Sequence, residues 1–161
     1  MGRLSEESGV VQLVAAVKEH KKFKQLACYS IDTITKNISP PNTYWRSALW
    51  QARDASAAKH VIDVLKLHRG HEQVVNVSVL CLIRLGADAQ CADDIVRLGG
   101  MDVVLESALA NPDLPTKSLA LVLELLDALG KHPACAERLA SPALVAKLFE
   151  LHESRRGEPA G

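Results

Sequence analysis

Cys28, Cys81, Cys91 and Cys135 carry the most reactive side chains of this chain, and their spacing argues against the chemistry they could perform. They lie 53, 10 and 44 residues apart, form no C-x-x-C pair, and each falls in an apolar or alanine-rich stretch. Metal capture asks for closely spaced ligands, and a nucleophile asks for an activated thiolate beside an oxyanion turn. The pattern predicts free, buried thiols in a reducing compartment. His68 and His71 have H-x-x-H spacing with Glu72 adjacent, but no cysteine lies close enough in sequence to complete a metal set. His20, His68 and His152 close amphipathic segments, where an imidazole faces the negative end of a helix dipole. Asp93 and Asp94 are expected in the first turn of a helix, where negative charge is favoured. Gly99-Gly100 lacks the further glycines and the lysine of a phosphate loop and reads as a hinge between helices. No catalytic residue, cofactor or metal, and hence no enzyme, is expected.

Two surface clusters could bind a partner. Lys18, Lys21, Lys22 and Lys24 flank a turn, interrupted by Glu19, as a solvated face or as a contact for an acidic partner or phosphate. Tyr44, Trp45 and Trp50 hold half of the chain's aromatic residues within seven positions. Five residues place Trp45 and Trp50 about 140° apart around a helix, so one can pack inward while the other faces out. Both can be structural, or one can anchor an interface. Nineteen basic residues balance nineteen acidic ones over 161 positions, which removes the positive excess of a dedicated nucleic-acid binder. A hydrophobic content of 48% excludes intrinsic disorder. The polar start MGRLSEESG lacks the apolar centre of a secretory leader, and apolar runs such as Val79 to Ile83 are far too short to span a membrane. An intracellular, cytoplasmic protein is expected.

The elements that must position these residues repeat. VQLVAAVKEH ending at His20, HVIDVLKLH at His68, DVVLESALA at Ala110 and LVAKLFELH at His152 have end points 48, 42 and 42 residues apart. Seven places before each end stand Leu13, Val61, Val103 and Val145, so apolar residues recur in register. A longer apolar stretch follows each of the first three. In the third, Leu119, Val122, Leu123, Leu126 and Leu129 follow a helix face, and Leu121 and Leu125 widen it until the helix must be sandwiched between neighbours. Val75-Asn76-Val77-Ser78-Val79 alternates like a strand, but the repeat register assigns it to a helix. Pro40 and Pro41 forbid a continuing helix within the longer first interval.

Residues 91 to 130, CADDIVRLGGMDVVLESALANPDLPTKSLALVLELLDALG, resemble an armadillo repeat: a short first helix from Cys91 to Leu98, a glycine turn, a second helix from Met101 to Leu109 and a long third helix from Leu114 to Leu129. HEAT-like repeats have similar length and are the close rival. The resemblance implies an all-α fold, a short right-handed α-solenoid of about nine helices in three to four armadillo-like repeats over 9–153, between a flexible N-terminus at 1–8 and a flexible tail at 154–161. In family members that hold extended peptides, the third helices carry Trp and Asn in the pattern A-x-W-A-L-x-N-L. Here the tryptophan positions hold Tyr29, Leu80 and Glu124, and the asparagine positions hold Thr33, Arg84 and Ala128. The pattern departs at all six.

The expectation is a noncatalytic protein-protein interaction or scaffold module, a small structural subunit of a larger assembly, with self-association through solenoid ends as one route. The alternative is a peptide-recognition adaptor using Tyr29, Thr33, Leu80, Arg84 and Glu124. Contact with nucleic acid or anionic lipid through Lys18 to Lys24 ranks below both.

Overall fold

The computed structural model describes residues 2–155, with side chains from residue 9 onward. The flexible N-terminus expected at 1–8 and most of the tail expected at 154–161 lie outside the described side chains. Among the described residues ten helices follow one another: α1 (Gly2–Glu19), α2 (Lys24–Asn37), α3 (Trp45–Asp54), α4 (Ala57–Leu67), α5 (Glu72–Leu85), α6 (Ala89–Arg97), α7 (Gly100–Ala110), α8 (Thr116–Gly130), α9 (Pro133–Leu139) and α10 (Pro142–Arg155). No strand occurs among the described residues. The count exceeds the nine or so expected, and α10 carries the helix through Ser154 and Arg155, which the sequence reading put in the tail.

Local sequence explains most boundaries. Asp88 caps α6 by accepting a hydrogen bond from the Cys91 backbone N–H at 3.0 Å, so this helix begins two residues earlier than expected. The earlier start moves Asp93 and Asp94 out of the first turn. They pair instead with Arg97 on the same helix, one turn on. Gly99 takes φ 71° between α6 and α7, the left-handed break the glycine pair was expected to supply. Gly100 permits close approach, since a Cβ there would sit 2.8 Å from Ile95 Cγ2 and 2.9 Å from Ile62 Cδ1. The alternating valines lie within α5, which buries Val74, Val75, Ser78, Val79, Cys81 and Leu82 on a wide face. Burial on two sides overrides the β preference of valine there.

Apart from α3, each helix meets a helix three places away along the chain. α1 packs on α4, α4 on α7 and α7 on α10; α2 packs on α5 and α5 on α8; α6 packs on α9. The core runs through the middle of these rows as Ile31, Ile34, Leu65, Leu82, Leu105 and Leu125, all fully buried. Side-chain hydrogen bonds follow the same interval. Lys21 Nζ donates to Asp63 at 2.6 Å, Ser118 Oγ to Asn76 Oδ1 at 2.6 Å, and Lys147 Nζ to Asp102 and Glu106 at 3.1 Å, across separations of 41 to 45 residues. His68 Nε2 meets the Lys21 carbonyl at 2.7 Å and His132 Nε2 the Gly86 carbonyl at 2.8 Å.

Candidate interaction surface

The exposed side of α5 and α8 carries two hollows. The first, of 370 Å³, is lined by Asp32, Asn76, Val77, Leu80, Lys117 and Leu121. The second, of 360 Å³, lies toward the C-terminal ends of the same helices and includes Arg84, Glu124, Asp127, Lys131 and His132. Of the five residues expected to line a groove, Leu80 falls in the first hollow, Arg84 and Glu124 fall together in the second, and Tyr29 and Thr33 belong to neither. Tyr29 stands 70% exposed on α2, whereas the Thr33 hydroxyl donates to the Tyr29 carbonyl at 2.8 Å and is spent within its own helix.

Sequence reading missed Asn76. Its Oδ1 accepts from Ser118, which fixes the amide plane at the rim of the apolar hollow beside Leu80. The signal was available, because Asn76 lies four residues before Leu80 and so shares its helix face. The strand-like alternation around it drew attention away from that face.

The basic cluster is divided by the fold. Lys18 and Lys22 are exposed, Lys24 opens α2 half-buried, and Lys21 is bound to Asp63. His60 on α4 is buried, with Nδ1 lacking a hydrogen-bond partner among the described residues. Burial lowers its pKa, and the charges of Lys21, Lys59 and Lys18 lower it further against an opposing pull from Asp63. The tryptophans divide as their spacing allows. Trp45 packs against the core with the Arg46 guanidinium 5.1 Å over its ring, while Trp50 is 56% exposed and Tyr44 is half-exposed.

All four cysteines are free and buried. Burial pushes the Cys81 thiol up to about 12, and it raises Cys28 and Cys135 as well. Cys91 is raised by burial and by the neighbouring Asp88 and Asp94 carboxylates. Each therefore holds its proton at neutral pH and is a weak nucleophile. The rings of His68 and His71 meet edge to face at 6.1 Å, and among the described residues no three His, Cys, Asp or Glu side chains converge as a metal set. No helix among the described residues is long and apolar enough to cross a membrane.

Compared with protein-family models, curated proteins and solved structures, the chain matches none.

Proposed function

We propose that the chain is a short right-handed solenoid of armadillo-like repeats, with HEAT-like repeats the nearest other description, and that it serves as a noncatalytic interaction module in a larger cytoplasmic assembly. Contacts between most helices three elements apart and hydrogen bonds at the repeat interval support the architecture. The observation that carries the function is the exposure of large apolar side chains, Tyr29, Trp50 and Phe149 among them, on a scaffold whose thiols are buried and protonated. Such side chains lower the free energy on becoming covered, and aromatic ones make the strongest anchors. Affinity capture from native extract followed by crosslink mapping tests this reading. Crosslinks to other proteins that cluster near these side chains are expected; the absence of any partner that Trp50→Ala weakens would overturn it.

A second reading, the peptide adaptor, is favoured by the Asn76 amide fixed beside Leu80 and Leu121. It requires Leu80→Glu and Arg84→Glu to weaken capture of the same partner, and it loses if both leave capture intact. The basic-cluster reading loses ground because Lys21 is neutralised by Asp63 at 2.6 Å.

A further inference from the structure

Helices α2, α5 and α8 pack side by side in one row, and their sequences align without a gap when Ile31, Leu82 and Leu126 are made to correspond. In that register one stripe, spaced i, i+4, i+7 and i+11, changes its surroundings along the row. On α5 it is Val75, Val79, Leu82 and Gly86, all buried. α8 lies against this side of α5: a Cβ on Gly86 would sit 3.4 Å from Leu129 Cδ2, and Asn76, next to Val75, accepts from Ser118. The corresponding Cys28, Ile31 and Thr35 of α2 are buried too. On α8 the stripe is Leu119, Leu123, Leu126 and Gly130. Here Leu123 is 57% exposed, Leu119 and Leu126 are half-buried, and a Cβ on the exposed Gly130 would meet nothing within 4 Å. Asp127, 3.8 Å from Lys131, stands where α5 carries Ile83, so one border of the stripe is polar. Among the described residues no helix follows α8 in the row.

We infer that this stripe of α8 seats an amphipathic helix supplied by another protein, lying parallel to α8 in the place that a next helix of the row would hold. This rests on the interaction-module reading and gives the partner its chemistry. A helix is the form that fits, because the row already joins helix to helix twice and the open stripe continues that packing. Parallel orientation follows from the joint between α5 and α8, whose first halves meet at Asn76 and Ser118 and whose last turns meet at Gly86 and Leu129. The residues that α8 itself buries, Ser118, Val122, Leu125 and Leu129, give the pattern the guest must show. It carries a small residue and then aliphatic ones at i, i+4, i+7 and i+11, the last above Gly130. Leu119 to Gly130 spans about three turns, so a guest of about four turns covers the seat.

The test uses a peptide with the α8 sequence, Thr116 to Gly130, carrying Leu119→Gln, Leu123→Gln and Leu126→Gln. It keeps the guest pattern and loses the second apolar stripe. A lactam bridge on the polar side holds it helical, since a free peptide of this length is marginal in water. Labelled with fluorescein, it is titrated with the whole 161-residue chain and followed by anisotropy. Saturable binding at roughly 1 to 100 µM is expected. Leu129→Asp in the peptide should weaken it by about tenfold or more, as should Leu123→Asp or Gly130→Gln in the protein, both at exposed positions where cooperative melting is retained. A peptide that fails to bind at about 1 mM overturns the inference, and so does binding that Gly130→Gln leaves intact. Dimerisation of the wild-type chain in sedimentation, abolished by Leu123→Asp, also overturns it by giving the stripe to a second copy. Capture of other proteins that depends on Trp50 is measured separately, so the interaction-module reading can stand where this inference falls.

Discussion

Ser56 holds φ 61° and ψ 40° immediately before α4, the left-handed conformation that Gly99 adopts 43 residues later immediately before α7. A side chain in that region costs about 1–2 kcal/mol, which glycine escapes. Ser56→Gly should therefore raise stability in urea unfolding by about 1 kcal/mol, since no capping hydrogen bond from the serine is lost. Gly99→Ala should lower stability by a similar amount from backbone strain alone, because its Cβ would meet only Asp102 Oδ2 at 3.9 Å. Gly100→Ala adds a collision with Ile95 and Ile62 and should cost about 1–3 kcal/mol. His60 supplies a pH signature at the same scale. Its folded pKa lies below the ordinary 6.5, so above that pH both states are neutral and its contribution to stability is whole. As pH falls through 6.5 the unfolded chain takes up a proton that the folded one resists, and stability declines. His60→Gln should flatten the difference between urea midpoints measured at about pH 7 and about pH 5.

α5 is sandwiched among α2, α4, α7 and α8, and the cost of thinning it measures that position. Leu82→Ala, at a fully buried site, should destabilise by about 2–5 kcal/mol, whereas Leu123→Ala on the open side of α8 should change stability by less than about 0.5 kcal/mol. Melting curves of the two variants check the contrast. The helix positions were legible in the sequence because the apolar stripes of α4, α7 and α10 recur at 42-residue steps, and Gly99 and Pro40-Pro41 punctuate them. Helix α9 was not, because seven residues opening on Pro133 bury only Cys135 and leave almost no stripe to read. The surface was legible in part. Leu80, Arg84 and Glu124, named from their register, fall beside hollows on α5 and α8. The loss of Lys21 to Asp63 could not be read, since that pair joins residues 42 apart whose meeting depends on how α1 settles on α4. Electrostatic pairing between repeats is tertiary information.

At the scale of the whole molecule the cysteines become reporters. Cys81 is fully buried in the middle of the rows, whereas Cys135 sits in the seven-residue α9, which packs mainly on α6 and α8. Opening a short peripheral helix exposes less apolar surface than opening the centre, so it happens more often. A thiol reagent added to the native protein should reach Cys135 first and Cys81 last, with mass spectrometry resolving the order. Equal rates at both sites would indicate that the chain opens only as a single unit.

The short turn between α4 and α5 is held from two sides. His68 reaches the carbonyl of Lys21 behind it, while the Gly70 N–H donates to Ser107 Oγ at 3.0 Å and the Gly70 carbonyl accepts from Asn111 Nδ2 at 2.7 Å ahead of it. A turn of this kind is a splice plate fastened to the beams on either side, and the consequence is mechanical. Lengthening it by a few residues would release both fastenings at once and loosen the joint on either side of the turn, where the same insertion in an untethered loop would be absorbed.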